Sequence, residues 1–237
     1  MSSGLAIMVK TPALSPVKSR LCRGIDRSEA EALYMISAQA VASVAQQAGD
    51  SFGIQPYWAV AEAAALETDA WPDLPHLPQG AGGLGERMAN VYRQLRMKHS
   101  AAILVGADTP QLTASVLGKA AEWLSSVEAR LVIGRAPDGG FWLFGGNAAL
   151  SDRAWTKARY GAPDTAERFI QAMKGAGRWM ELEPLRDIDT VADLPEVLAS
   201  LAALAAPTPD QVRLTDRLAF LLREPLADAC SLPSDQE

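Results

Sequence analysis

Short apolar runs alternate with amphipathic segments along the first two hundred residues of this chain. Runs such as 5–9 (LAIMV) and 101–105 (AAILV) are unbroken, which is typical of strands buried on both faces of a parallel sheet. Helical periodicity and cap residues separate them, with Ser28 and Thr113 as expected N-caps. The predicted order is strand 5–9, helix 28–48, strand 52–60, loop 71–83, helix 84–98, strand 101–105, helix 113–125, strands 129–133 and 141–144, helix 163–174, edge strand 178–182 and helix 191–205. This alternation predicts an α/β sandwich with a mostly parallel sheet.

The C-terminal segment has a different pattern. A break at 205–209 (AAPTP) precedes an amphipathic helix over 210–223 and a polar tail over 224–237. We therefore expect a main domain over 1–205 and a helical appendage over 206–237, because about thirty residues cannot bury a core alone. The appendage is expected to pack on the domain or on a partner chain, and the second case would make a homodimer.

The stretch 136–146 (APDGGFWLFGG) places a Pro-Asp-Gly-Gly turn between two apolar runs. Such a turn predicts a hairpin. Asp138 also stands at the mouth of the turn, so the same stretch fits a loop that presents a carboxylate to a ligand.

Composition narrows the function classes. The net charge of −6 over 237 residues does not suggest a nucleic-acid partner. No apolar run approaches the ~18 residues of a membrane span, and no basic segment precedes the first apolar run. Cys22 and Cys230 are too far apart in sequence to suggest a disulfide framework or a zinc motif, so a cytoplasmic location is expected.

Basic residues are concentrated near the N-terminus. The first 27 residues contain five Lys and Arg side chains and one acid, Asp26. The basic residues are Lys10, Lys18, Arg20, Arg23 and Arg27. One interpretation is that this loop binds a small anion, and the other is that it is a solvated surface loop.

Charged residues of both signs follow the predicted strands. Lys10, Lys18 and Arg20 follow the first strand, and Asp108, Asp138 and Asp189 follow three others. Ligands of open parallel sheets bind beyond the carboxyl ends of the strands, so these side chains are expected at one rim. Lys and Arg neutralise phosphates, and one or two carboxylates hold a Mg²⁺ that bridges them. Turn formation or helix capping remains the alternative for each aspartate.

A glycine-rich segment, 80–87 (GAGGLGER), opens the helix at 84–98. Its amides, at Gly83 and Gly85, and the side chain of Arg87 are candidate phosphate ligands, with a plain tight loop as the alternative. The GxxxxGK pattern of a P-loop is missing around Lys18.

Four segments in this order resemble the DUF2064 family, also called the rSAM/selenodomain-associated transferase 1 family: MVKTPALSPVKSRL, GGLGERM, VGADTPQL with APDGGFWLFGG, and RDIDTVADL. The resemblance extends over about 5–205. The family belongs to the glycosyltransferase-A, or nucleotide-diphospho-sugar transferase, superfamily. It implies a Rossmann-like α/β/α sandwich with a mixed, mostly parallel sheet, a nucleotide over the N-terminal half and an acceptor over the C-terminal half.

The resemblance also implies residue roles. Asp108 and Asp189 match the acids that hold a divalent metal, Mg²⁺ or Mn²⁺. Asp138 becomes the candidate for acceptor binding or for the general base, and Asp108 and Asp138 are the expected catalytic residues. Gly139, Gly140 and Trp142 are expected to line the acceptor pocket.

Three departures from the family pattern stand out. Ser15 replaces a glycine of the basic loop, GGLG replaces GDLG at 82–85, and DTVAD replaces a DTPED-like segment at 189–193. The last change is expected to weaken the turn more than the metal site.

The expected function is therefore a metal-dependent glycosyltransferase that uses a nucleotide-diphospho-sugar and a small-molecule acceptor. Nucleotidyl transfer to a phosphorylated acceptor, with release of pyrophosphate, fits the same residues, and so does a non-catalytic nucleotide-binding protein. The segments VKSRL and DIDT also resemble, more distantly, phospholactate guanylyltransferase and molybdenum-cofactor nucleotidyltransferases.

Overall fold

A seven-stranded mixed sheet forms the centre of the molecule, as seen in a computed structural model that describes residues 2–223. Its strand order is β3-β2-β1-β4-β6-β5-β7. The strands are β1 (Ser3–Val9), β2 (Ile54–Val60), β3 (His76–Pro78), β4 (Ala101–Gly106), β5 (Arg130–Arg135), β6 (Phe141–Gly146) and β7 (Arg178–Leu182). The predicted α/β sandwich with a mostly parallel sheet is confirmed.

Strand β6 alone runs against the others, and it lies between β4 and β5. It pairs antiparallel with both, because the 136–140 turn reverses the chain directly after β5. The hairpin predicted from Pro-Asp-Gly-Gly is therefore present. All other strands point the same way, so their carboxyl ends meet at one rim.

Helices cover both faces of the sheet. They are α1 (Arg27–Phe52), α2 (Leu84–Lys98), α3 (Ala114–Leu124), α4 (Asp152–Lys157), α5 (Thr165–Ala172), α6 (Leu194–Ala202) and α7 (Pro209–Leu221). Helices α1 and α3 pack on one face, around Val41, Ile103 and Leu117. Helices α2, α4 and α5 pack on the other face, around Tyr92 and Phe144. None of the helices within residues 2–223 is long and apolar enough to cross a membrane.

Helices α6 and α7 form a third apolar cluster with the outer side of α1. Leu214 and Leu218 of α7 are fully buried there. The Gln211 amide donates to the carbonyls of Pro110 and Leu112, at 2.7 and 3.0 Å. The appendage thus packs on its own chain, next to the loop that follows β4. The homodimer stays a prediction, and the polar tail over 224–237, with Cys230, lies outside the described residues.

Local boundaries differ from the sequence expectation in several places, and four of them are informative. Helix α1 begins at Arg27 with Asp26 before it, so Ser28 lies inside the first turn and is not the N-cap. Phe52 ends α1 and does not begin β2, since Gly53 in a left-handed conformation (φ 67°) terminates the helix. The predicted loop 71–83 contains the short strand β3, and α4 was not predicted. Thr113 is the N-cap of α3, as expected, and accepts a hydrogen bond from the Val116 amide.

Candidate functional site

A cleft of about 420 Å³ opens at the rim where the parallel strands end. The loops after β1 and β4 and the first turns of α2 form its walls. Seven of the predicted site residues line it: Lys10, Lys18, Arg20, Arg87, Asp108, Trp142 and Asp189. The fold therefore brings the basic loop together with two of the three predicted acids.

The basic loop is fixed at both ends by buried contacts. At its start, Tyr34 accepts a hydrogen bond from the Lys10 amide at 2.9 Å, and Glu62 accepts one from the Thr11 amide at 2.8 Å. At its end, Val17 and Leu21 are buried, with exposed fractions of 7% and 0%. The loop is thus held firmly, and its basic side chains are carried on a defined backbone.

Lys18 is paired with the expected metal ligand Asp108. Its ammonium lies 2.7 Å from Asp108 Oδ2 and also donates to the carbonyl of Ile188. The Lys18 side chain is only 7% exposed, and its backbone is left-handed, with φ 47°. A left-handed conformation costs a non-glycine residue about 1–2 kcal/mol, and such residues are concentrated at functional sites.

Arg20 is paired with the second expected metal ligand, Asp189. Its guanidinium lies 2.5 Å from Asp189 Oδ2, with the arginine 59% exposed and the aspartate 32% exposed. This hydrogen bond, followed by the charges of Asp189, Asp138 and Asp187, raises the pKa of Arg20. Each expected metal acid therefore has one cation from the 10–20 loop as its partner.

Asp187 is a further acid of the site that the sequence interpretation missed. Burial, and then the charges of Asp108 and Asp138, raise its pKa to about 6. Its loop is joined to the loop after β4 by two hydrogen bonds, from the Ile188 amide to the Asp108 carbonyl at 2.9 Å and from Gln111 to the Arg186 carbonyl at 2.6 Å. The charge of Asp187 is therefore coupled to the carboxylates of Asp108 and Asp138.

The turn after Asp189 is closed by Asp193. Its carboxylate accepts from the amide and the hydroxyl of Thr190, at 2.7 and 2.8 Å, and pairs with Arg186 at 2.9 Å. Burial would raise the pKa of Asp193, but these bonds lower it below its ordinary value. These contacts come from the acid that DTVAD shares with the DTPED-like pattern, and the expected weakening of the turn stays a prediction. Asp189 is not a helix cap here, because Thr190 and Asp193 form the capping box.

In the glycine-rich loop, one of the two candidate phosphate-binding amides is already bonded within the loop. Gly83 is the N-cap of α2, and its amide donates to Glu86 Oε2 at 2.7 Å. Gly85 is buried, and a Cβ there would lie 2.5 Å from the Trp155 carbonyl oxygen, so this glycine serves close packing. Neither lines the cleft, whereas Arg87 does, with its Nε bound to the Gly82 carbonyl at 2.8 Å. The acid missing from this chain would stand at the N-cap position.

The 136–140 turn presents Asp138 at the surface. The Asp138 side chain accepts from the Gly140 amide at 2.8 Å, which fixes the carboxylate over its own turn. Gly139 has φ 89°, and a Cβ on it would lie 1.9 Å from the Pro163 carbonyl oxygen. Gly139 therefore faces the neighbouring loop, while Asp138 and Gly140 line a second, smaller pocket beside the cleft.

Trp142 forms part of the cleft floor. It is 3% exposed, packs on Gly134, and donates from Nε1 to the Glu183 carbonyl at 3.3 Å. Of the residues expected to contact the acceptor, the structure thus places Trp142 in the large cleft and Gly140 in the small pocket.

The donor set suits a cation that is shared with a ligand. Within residues 2–223, no three His, Cys, Asp or Glu side chains are grouped closely enough to hold a metal ion by themselves. Asp108 and Asp189 both line the cleft, and each is 32% exposed. Mg²⁺ is commonly held by one or two carboxylates together with substrate phosphates and water, so two acids are a sufficient protein contribution.

Comparisons with known proteins support the family resemblance. A family model described as "Uncharacterized protein conserved in bacteria (DUF2064)" matches residues 54–162. This range contains the GGLGERM, VGADTPQL and APDGGFWLFGG segments, whereas the loops 10–20 and 186–190 lie outside it. The predicted resemblance to this family is confirmed over that range. A search of curated proteins finds no match.

Solved structures share the fold. A protein of Desulfovibrio desulfuricans G20, provisionally assigned as a nucleotide-diphospho-sugar transferase, is 23% identical, with a TM-score of 0.78 over 93% of this chain and 98% of that one. CMP:2-keto-3-deoxy-manno-octonic acid synthetase complexed with CTP is 13% identical, with a TM-score of 0.52 over 85% and 99% of the two chains. The 4-diphosphocytidyl-2C-methyl-D-erythritol synthase of Anaerococcus prevotii DSM 20548 is 9% identical, with a TM-score of 0.50 over 84% and 96%. These likenesses establish the predicted fold class.

Proposed function

We propose that this protein is a metal-dependent glycosyltransferase that uses a nucleotide-diphospho-sugar donor and a small-molecule acceptor. The observation that carries this proposal is the convergence, in one cleft, of four basic residues and two acids: Lys10, Lys18, Arg20, Arg87, Asp108 and Asp189. A diphosphate needs cations, and a bridging divalent cation needs carboxylates. The provisional assignment of the D. desulfuricans G20 protein is consistent with it.

Each residue has a role that follows from its position. Lys10, Lys18, Arg20 and Arg87 neutralise the phosphates, and the fixed backbone of the 10–20 loop limits the ordering that binding requires. Asp108 and Asp189 would hold the divalent cation, which would supply charge stabilisation for the departing diphosphate. Asp138 stands outside this group and accepts the proton of the acceptor.

Nucleotidyl transfer is the second candidate function. The fold neighbour complexed with CTP shows that a nucleoside triphosphate binds a protein of this fold. In that reaction the same basic residues would hold a triphosphate, and pyrophosphate would leave. The identity of the nucleotide that binds therefore separates the two reactions.

A thermal-unfolding panel tests the proposal directly. UDP-, GDP-, ADP- and CDP-sugars and the nucleoside di- and triphosphates are each added with and without Mn²⁺. A ligand at a hundred times its Kd stabilises the native state by about 2.7 kcal/mol, which is about 5–11 °C for a chain of this size. A Mn²⁺-dependent rise with one nucleotide-sugar is expected. A rise only with a triphosphate favours nucleotidyl transfer, and no rise at millimolar concentrations contradicts both.

Two substitutions and a control locate the binding. Asp108→Asn and Asp189→Asn are expected to abolish the Mn²⁺-dependent part of the rise. Asp50→Asn is the control, because Asp50 is an exposed acid near the C-terminal end of α1, away from the cleft. If all three variants keep the metal-dependent rise, then the two acids do not hold the cation.

A further inference from the structure

A small pocket of about 140 Å³ lies beside the large cleft. Leu84, Met88 and Phe141 line both cavities, so the two are neighbours across these apolar side chains. Leu84, the first residue of α2, is 49% exposed and borders both cavities. The apolar face of Leu84 thus has no complete cover from the described chain.

The polar side chains of this pocket have little hydrogen-bonding capacity left, with one exception. The Tyr160 hydroxyl donates to the Trp155 carbonyl at 2.7 Å, and burial raises the pKa of Tyr160, so the phenol stays neutral. Thr165 Oγ1 donates to the Ala162 carbonyl at 2.6 Å and accepts from the Ala162 amide at 3.1 Å.

The exception is Asp138. Its Oδ1 accepts from the Gly140 amide, and no donor within residues 2–223 is within hydrogen-bonding distance of its Oδ2. This charged oxygen is therefore the strongest acceptor that the pocket offers to a bound hydroxyl. Leu84, Met88 and Phe141 line both cavities, so Asp138 belongs to a pocket that adjoins the large cleft.

Charge divides the two cavities. The large cleft is lined by four Lys and Arg side chains, whereas no Lys, Arg or His among residues 2–223 lines the small pocket. A phosphate or carboxylate in the small pocket would stand next to Asp138 without a counter-charge, which is strongly unfavourable. An uncharged hydroxyl has no such penalty and can donate to Asp138.

We propose that the small pocket binds the apolar body of an uncharged alcohol acceptor, with its hydroxyl on Asp138. A cavity of about 150 Å³ accommodates benzene, so the bound part has about six non-hydrogen atoms. This inference rests on the proposed glycosyl transfer. In that reaction the acceptor oxygen forms a bond to the anomeric carbon, the bond from that carbon to the diphosphate oxygen breaks, and the hydroxyl proton moves to Asp138. The pocket thus disfavours a phosphorylated acceptor, which the nucleotidyl-transfer reaction would need.

Binding of matched aromatic probes to the full chain, without nucleotide or metal, tests this inference. Benzyl alcohol and benzyl phosphate share one ring and differ in charge. The amide NMR signal of Gly161, which lines the small pocket and not the large cleft, reports binding there. We expect benzyl alcohol to shift this signal at millimolar concentration and benzyl phosphate to shift it at least tenfold less effectively.

Variants show whether the named residues are responsible. Leu84→Ser is expected to weaken benzyl alcohol binding roughly three- to tenfold, because half-exposed apolar surface is lost. Met97→Ser is its control, since Met97 is 79% exposed near the other end of the same helix. Asp138→Asn is expected to keep benzyl alcohol binding and to reduce the discrimination against benzyl phosphate.

The outcomes separate this inference from the proposed function. An unshifted Gly161 signal, an unchanged affinity in Leu84→Ser, or equal binding of the two probes overturns the pocket assignment. None of these results depends on a nucleotide. A failed nucleotide panel with a positive probe result would instead contradict the transferase and leave the pocket chemistry standing.

Discussion

Gly139→Ala is the substitution whose effect the structure predicts most directly. Gly139 has φ 89°, and a Cβ on it would lie 1.9 Å from the carbonyl oxygen of Pro163 and 2.3 Å from its carbonyl carbon. These are backbone atoms, so no side-chain rotation can relieve the contact. The Gly139 carbonyl also accepts from the Ala166 amide at 2.9 Å, at the start of α5. Alanine must therefore push the 136–140 turn away from α5.

Two costs add in this variant. An alanine held in a left-handed conformation costs about 1–2 kcal/mol, and overpacking costs about 1–3 kcal/mol. The expected loss of unfolding free energy is about 2–5 kcal/mol. Gly175→Ala is the matched control, because Gly175 has φ 84° and a Cβ on it would meet no atom within 4 Å. It should lose only the conformational part, about 1–2 kcal/mol.

Urea unfolding followed by circular dichroism measures the loss of unfolding free energy in both variants, and thermal unfolding measures their melting temperatures. At about 2–4 °C per kcal/mol for a chain of this size, melting temperatures should fall by roughly 10 °C in Gly139→Ala and roughly 4 °C in Gly175→Ala. Equal losses in the two variants would refute the reasoning, because the close approach of the hairpin turn to Pro163 would then contribute nothing.

Three further predictions concern the charged cleft and its rim. Burial and neighbouring carboxylates raise the pKa of Asp187 to about 6. The native state therefore binds more protons than the unfolded state between about pH 4 and pH 6. As a result, the unfolding free energy falls as the pH rises through this window. Asp187→Asn should remove this loss of stability, which is no more than about 2 kcal/mol after solvent screening. In urea unfolding, the difference in unfolding free energy between pH 4.5 and pH 7.5 should therefore be smaller in the variant than in the wild type. The same difference in both proteins would contradict the assignment to Asp187. Lys18→Met leaves the one-third-exposed Asp108 without its partner, so the unfolding free energy measured in urea should fall by about 1–3 kcal/mol. The control is Lys119→Met, at an exposed position of α3, which should leave the unfolding free energy unchanged. Equal effects of the two substitutions would show that the ion pair is not stabilising. Gly83→Asp places an acid at the exposed N-cap of α2. It should change the unfolding free energy measured in urea by less than about 0.5 kcal/mol, because glycine is itself an acceptable N-cap. A larger loss would show that the contact between the residue 83 amide and Glu86 requires glycine at this position.

The sequence was sufficient for the position of the cleft. Unbroken apolar runs predicted the strands at 5–9 and 101–105, and the pattern also predicted an edge strand at 178–182. Chain direction then placed the residues after Val9, Gly106 and Leu182 at one rim. Strand periodicity and the rule on carboxyl ends need no tertiary contacts. This is why the basic loop, Asp108 and Asp189 could be assigned to one cleft from the sequence, whereas Asp138 lies in the smaller pocket.

The pairings within the site could not be predicted in the same way. Asp187 and Asp189 flank the buried Ile188, and residues two apart in an extended segment point to the same side, so an acid beside Asp189 was to be expected at position 187. That spacing was the available signal for Asp187. Which acid lies beside other carboxylates and which meets Arg20 depends on the folded path of the loop. Likewise, the closeness of Gly139 to Pro163 joins two segments that local pattern does not relate.

The ion pairs of the cleft lead to one consequence for ligand binding. Lys18 neutralises Asp108, and Arg20 neutralises Asp189, so the groups that suit phosphates are bound to the groups that suit a cation. A divalent cation alone would have to compete with two basic side chains, and a nucleotide alone would approach two carboxylates. On the proposed function, a cation–diphosphate complex would supply both charges at once and would replace both pairs without leaving a charge unpaired. Binding of the two should therefore be mutually reinforcing, and by linkage each should raise the affinity for the other by the same factor.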